Sequence, residues 1–159
     1  MLQLFNLVSL KTNTMEPFVL PVQMRWADID SNFHIRHSVY YDWATMCRLH
    51  FLEKNGLTPA FMQEKQFGPI IFREECVFRK EIKYGDQVSI NLKFIKGKRD
   101  YSRWTISHEI KKNDDTVCAI LTIDGAWMNV AERKLFTPPA EVVQIFQQMP
   151  PDENLEWID

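Results

Sequence analysis

The sequence predicts an α+β domain in which one long helix packs against a single antiparallel sheet. Three observations carry this prediction. Helical periodicity occurs in one sustained run early in the chain, period-two alternation dominates after residue 67, and the alternating runs are joined by short, turn-forming links. A helix with one apolar stripe and a sheet with one apolar face must bury those surfaces against each other, which gives a two-layer architecture.

The first strand is expected over residues 18–26, ending in Met24-Arg25-Trp26-Ala27. A polar stretch without periodicity follows, Asp28-Ile29-Asp30-Ser31-Asn32-Phe33-His34. The helix is expected from near Ser38 to Asn55, where Val39, Trp43, Met46 and His50 recur at helical spacing beside Tyr40, Ala44, Cys47 and Phe51. Ser38 can cap its start, and Asn55-Gly56 supplies a left-handed stop. A short second helix fits within residues 59–66.

Residues 70–81 read as a strand of poor alternation. Val88, Ile90, Leu92 and Phe94 then alternate with polar neighbours, as do Trp104, Ile106, His108 and Ile110. Val117, Ala119, Leu121, Ile123, Gly125 and Trp127 form the inward set of a third, long strand. The links Tyr84-Gly85-Asp86, Lys96-Gly97-Lys98-Arg99-Asp100 and Asn113-Asp114-Asp115 have turn chemistry. A last helix is expected over residues 139–148, starting on a helix-compatible proline. One helix leaves part of such a sheet uncovered, which invites a symmetric dimer.

The 159 residues make one domain, taken as residues 18–148. Residues 1–17 are expected to be an N-terminal arm, disordered or an artefact of start-site choice, and residues 149–159 a loose acidic tail. Aromatic residues at 13% and a net charge of -2 argue against disorder and against general nucleic-acid binding. No apolar run approaches the ~20 residues of a membrane span. Cys47, Cys76 and Cys118 have neither disulfide-framework nor metal-knuckle spacing and fit buried thiols in a reducing cytoplasm.

The polar residues concentrate at the strand-to-helix junction. Asp28 and Asp30 are followed by His34, Arg36 and His37, with Tyr40 and Tyr41 in the first helical turn. A helix start offers unpaired N–H groups and a positive dipole end, which can hold an oxyanion while a carboxylate handles water or attacks directly. The competing reading is that an Asp caps a turn and the histidines decorate a loop. His34, His37 and an Asp lack the rigid spacing of a helical metal site. Lys96, Lys98, Arg99 and Arg103 form a basic hairpin, read either as a phosphate-attracting edge or as a solvated turn.

The segment Arg25-Trp26-Ala27-Asp28-Ile29-Asp30-Ser31-Asn32-Phe33-His34-Ile35-Arg36-His37-Ser38-Val39-Tyr40 resembles the signature of hotdog-fold acyl-CoA thioesterases of the 4-hydroxybenzoyl-CoA thioesterase type, R-[FWY]-x-D-x-D-x-x-G-H-[VI]-N-N-x-x-Y. Tyr84-Gly85-Asp86-Gln87-Val88 and Ala131-Glu132-Arg133-Lys134 with Pro138-Pro139 are similar to later parts of that family's pattern. The resemblance implies a hotdog fold, with a central helix wrapped by five to six antiparallel strands, and a homodimer or dimer of dimers with the pocket between protomers. It implies hydrolysis of an acyl thioester to free acid and coenzyme A, without metal or separate cofactor.

Carried over by position, Asp30 is the catalytic carboxylate, as nucleophile or general base, and the backbone N–H of His37 polarises the carbonyl. Asp28 shapes the loop and Tyr40 walls the acyl pocket. His34, Arg36, Arg99 and Arg103 join Tyr40 as expected substrate-binding residues. Three positions depart from the pattern. Phe33 replaces a glycine, and Arg36-His37 replace Asn-Asn. These departures favour an alternative, a catalytically silent acyl-thioester binder; a thioesterase acting on acyl carrier protein is another. A hotdog dehydratase is disfavoured because its His-x-x-x-Pro motif is missing.

Overall fold

The computed structural model describes residues 15–113 and 115–159. Its elements run β1 (Phe18–Val22), α1 (His37–Lys54), α2 (Pro59–Glu64), β2 (Phe67–Phe78), β3 (Val88–Lys98), β4 (Arg103–Lys112), β5 (Thr116–Asn129), β6 (Lys134–Leu135), α3 (Ala140–Phe146) and β7 (Pro151–Ile158). The main sheet has the order β1-β3-β4-β5-β2, and its neighbours are antiparallel throughout. Short hairpins join β3 to β4 and β4 to β5, and left-handed residues turn them: Tyr101 in the first, Asn113 and Asp115 in the second. Residues 1–14, which hold most of the expected arm, lie outside the described residues.

The long helix packs Val39, Tyr40, Trp43, Ala44, Cys47, Phe51 and Leu52 into one core with Ile90, Leu92, Ile106, Leu121 and Ile123 of the sheet. Met46 and His50, assigned to the apolar stripe from spacing, are exposed instead. Both lie at the margin of the stripe, and a helix seated on a sheet buries only its centre. α1 begins on His37, one residue before the expected cap, and Arg36 occupies the N-cap position. α2 starts as proline and threonine chemistry dictates, the Thr58 hydroxyl accepting the Phe61 N–H at 3.2 Å. No helix among the described residues is long and apolar enough to cross a membrane.

The C-terminal segment corrects the sequence reading. Residues 151–158 are not a loose tail but β7, which pairs in parallel with the second half of β3 while β1 pairs with its first half. Together they cover that edge of the sheet. Acidic composition hid the strand, because its carboxylates are met by lysines: Lys96 Nζ lies 2.8 Å from Glu156 and Lys93 Nζ 3.6 Å from Asp152. Its apolar anchor is Trp157, whose ring packs 5.7 Å from Phe94 and 5.6 Å from Tyr101. With β6 and β7 the sheet counts seven strands among the described residues, against the five to six expected. The opposite edge, β2, carries exposed Ile71, Phe72, Val77 and Phe78.

Candidate active site

The junction between β1 and α1 is built on Asp28. Its side chain is 1% exposed, and the Arg25 guanidinium reaches Oδ1 at 2.7 Å while the Arg25 N–H reaches Oδ2 at 2.9 Å. These bonds to Arg25 hold the carboxyl below the usual aspartate range against the cost of burial. The Asp28 carbonyl in turn accepts the Arg36 N–H at 3.0 Å, and Ile82 accepts that of Ile35 at 2.8 Å. The first turn of α1 is thereby pinned to both sides of the loop. Asp28 has a structural part.

Between those pins, residues 29–35 form a tight reversal closed by an Ile29–Ile35 bridge. Asp30 organises its tip: Oδ1 accepts the N–H of Asn32 at 2.8 Å and of His34 at 3.1 Å, while the backbone N–H of Asp30 donates to the His34 carbonyl at 2.8 Å. The second carboxylate oxygen has no hydrogen-bond donor among the described residues. Phe33, which stands where glycine was expected, sits in the left-handed region at φ 61° with its ring 74% exposed. The loop therefore keeps the backbone path of a glycine without glycine's freedom.

An open cleft is lined by Asp30, His34, Ile35, His37, Tyr40, Phe78, Arg79, Lys80 and Glu81. Asp30 thus shares a cleft with the first residue of an 18-residue helix. The Val39 N–H is used by the Arg36 carbonyl, but the N–H of His37 meets no acceptor among the described residues. Tyr40 stacks edge-on against Phe78 at 5.0 Å, and burial pushes its hydroxyl up to about 12, so it is a neutral wall of the cleft at physiological pH.

Four of the residues singled out from sequence, Asp30, His34, His37 and Tyr40, therefore converge. Three do not. The Arg36 side chain is exposed and outside the cleft lining. Arg99 lies over the Trp157 ring at 5.3 Å and Arg103 over the Phe72 ring at 5.1 Å. Both flank the β3–β4 hairpin, whereas the cleft meets the sheet beside Lys83, ahead of β3. The 11 residues of β3 separate the two ends by about 35 Å in one chain. Basic side chains at the cleft come instead from Arg79 and Lys80. Sequence reading passed over these two, together with Phe78 and Glu81. The only local signal was a basic pair at the end of an irregular strand.

A second polar cluster lies further along α1. Arg48 Nη1 donates to Glu74 of β2 at 3.1 Å and lies 3.4 Å from Nε2 of His108. The His108 ring nitrogen Nδ1 is 2.7 Å from the Asn91 carbonyl, so Nδ1 carries the proton and Nε2 accepts. Burial and the neighbouring guanidinium push His108 down to about 3. It is a neutral, satisfied core histidine, and the partly buried Glu74 is the ion-pair partner of Arg48.

A match to a known family spans residues 24–146, the whole stretch from the loop to α3, and the family is described as a thioesterase-like superfamily. The chain belongs to the thioesterase-like superfamily. Solved structures agree on its hotdog fold. A hypothetical protein from Staphylococcus aureus in complex with CoA superposes with a TM-score of 0.76 at 17% identity, over 86% of this chain and 87% of that one. A 1,4-dihydroxy-2-naphthoyl-CoA thioesterase from Synechocystis gives 0.74 at 16% identity, over 83% and 96%. A hypothetical protein from Aquifex aeolicus gives 0.73 at 19% identity, over 81% and 98%. No curated protein matches the chain. The superfamily's fold thus accounts for the β1–loop–α1 order that brings Asp30 to the helix start.

Proposed function

We propose that this member of the thioesterase-like superfamily hydrolyses an acyl thioester of coenzyme A. One observation carries the reading: a carboxylate with one oxygen unengaged, Asp30, shares a cleft with the open first amide of a long helix, His37. The thioester carbonyl oxygen points at the His37 N–H, where the helix dipole adds to the hydrogen bond as negative charge develops. Asp30 takes a proton from water, the hydroxide adds to the carbonyl carbon, and the tetrahedral oxyanion collapses to the acid. The C–S electron pair leaves with sulfur, and the thiolate recovers the proton from Asp30. In the nucleophilic variant Asp30 itself adds to the carbon and expels the thiolate, giving a mixed anhydride. Water then adds to the aspartyl carbonyl carbon, releasing the free acid and restoring the Asp30 carboxylate, while the remaining proton of that water goes to the thiolate. Single-turnover hydrolysis in isotope-labelled water separates the two, since only the second leaves label in Asp30.

Arg79 and Lys80 supply positive charge for the phosphates of coenzyme A, and Tyr40 with Phe78 supplies an apolar wall. The working unit is a homodimer or a dimer of dimers: exposed Ile71, Phe72, Val77 and Phe78 on the open β2 edge favour it over a monomer. Light scattering on the purified protein measures that state.

Thiol release from a panel of acyl-CoA substrates tests the activity, with Asp30→Asn as the comparison. Release that disappears in the variant supports the proposal. Binding of acyl-CoA without release from any substrate favours the silent binder, for which the Phe33, Arg36 and His37 departures are the argument.

A further inference from the structure

The more enclosed cavity of the molecule is not the Asp30 cleft. It lies behind the second half of α1, has a volume of about 160 Å³, and is walled by Leu52, Leu92, Ile106, Trp127 and Phe146 among others. Among its lining residues Thr45 of α1 and Pro69 and the half-exposed Ile71 of β2 reach the surface, which puts its mouth between these two elements. The wall is almost wholly hydrocarbon. Its one charged member, Arg48, is engaged by Glu74, by the Thr45 hydroxyl at 3.1 Å and by His108. No free charge is left to recognise a charged ligand. The volume matches that of apolar cavities, about 150 Å³, that stay dry and accept benzene.

The cavity and the cleft are both lined by residues of α1 and β2. Tyr40 and Phe78 face each other at the cleft, and Arg48 and Glu74 bridge the two elements further along. Thr45 and Leu52 follow Tyr40 on one helix by five and twelve residues, placing the mouth about 8 Å and the far wall about 18 Å beyond the cleft along the axis. An aromatic ring attached directly to the thioester carbonyl cannot span that separation. A flexible hydrocarbon chain can.

We infer that this chamber receives the apolar end of a straight-chain acyl group whose thioester lies at Asp30, so that the site takes medium-length or longer aliphatic acyl chains. The chain runs over the Arg48–Glu74 bridge and turns inward between Thr45 and Ile71. The inference rests on the thioesterase reading above and adds the class of acyl group.

The test uses the full protein with butanoyl-, benzoyl- and dodecanoyl-CoA as substrates and with the butyl and dodecyl thioethers of coenzyme A as ligands that cannot be hydrolysed. Dodecanoyl-CoA is expected to have the highest kcat/KM, and the dodecyl thioether is expected to bind at least roughly tenfold tighter than the butyl one. Thr45→Trp places an indole at the mouth from an exposed helix position and should lower the dodecanoyl-to-butanoyl ratio of kcat/KM roughly tenfold. If that variant does not fold, as judged by circular dichroism, the two thioethers on the unaltered protein decide. Thiol release with no dependence on chain length, or with a preference for butanoyl or benzoyl, overturns the chamber and leaves the thioesterase reading standing. No thiol release, with the dodecyl thioether still bound more tightly, overturns hydrolysis and keeps the chamber. Neither release nor thioether binding overturns both.

Discussion

Asp30 and His34 are joined twice across the loop tip, by the His34 N–H on Asp30 Oδ1 at 3.1 Å and by the Asp30 N–H on the His34 carbonyl at 2.8 Å. The side chain proposed for chemistry is therefore also a structural acceptor, and two substitutions separate its roles. Asparagine keeps an acceptor oxygen for the loop but cannot take a proton from water. Asp30→Asn should retain a near-native urea midpoint while thiol release falls roughly 10²–10⁴-fold. Asp30→Ala should lose the loop bonds as well, at about 1 kcal/mol or more of stability. Unchanged turnover in Asp30→Asn would remove this carboxylate from the mechanism.

Phe33 holds a left-handed backbone with an exposed ring, so little burial offsets its strain. Glycine adopts that region without penalty, although it also gives the unfolded chain more freedom. Phe33→Gly should be net stabilising by about 0.5 kcal/mol or more, read as a higher thermal midpoint. A lower midpoint would mean that the ring makes contacts in the assembled protein.

His108 links stability to pH. Its value falls from 6.5 in an unfolded chain to about 3 in the fold, where Arg48 and the Asn91 carbonyl face it and Glu74 balances Arg48. Above pH 6.5 both states are neutral and no stability is lost. Below it the unfolded chain binds a proton that the folded chain refuses, so stability falls with pH, by about 2 kcal/mol at pH 5. Urea titrations between pH 7 and 5 should show this slope. His108→Gln, which keeps both a donor and an acceptor, should flatten it.

Gly125 of β5 pairs directly with Trp104 of β4, and a Cβ there would collide with the Trp104 ring. Gly125→Ala should cost about 1–3 kcal/mol by overpacking. Trp104→Leu removes the ring in the way and breaks no indole hydrogen bond, since Nε1 has no partner among the described residues. The double variant should therefore be less destabilised than the sum of the two single ones. Additive losses in calorimetry would show that the collision is relieved elsewhere.

Much of this was legible from local order. The alternation of Val88, Ile90, Leu92 and Phe94 places them inward in β3, and all four are buried. The resemblance of the Arg25–Tyr40 segment to the thioesterase signature points to Asp28 as the residue that shapes the loop and to Asp30 as the carboxylate beside the helix start. The Asp28-x-Asp30 spacing by itself does not. Replacing glycine by Phe33 at that position implies the strained backbone found there. Misreadings arose where the deciding partner is distant in sequence. Residues 151–158 become a strand only because β3 presents an edge, lysines and aromatic rings to them. Arg99 and Arg103 have the right charge, but the length of β3 carries them away from the cleft.

Sequence alone thus determined the order of the main elements from β1 to α3, the helix that carries the site and the residues at its start, because periodicity, turn chemistry and capping act over a few neighbouring positions. Tertiary structure decided what those residues face: Phe78, Arg79, Lys80 and Glu81 across the cleft, Glu74 and His108 around Arg48, and the apolar chamber beyond them. Such meetings depend on strand register and on how the helix seats against the sheet, and both are properties of the packed chain as a whole.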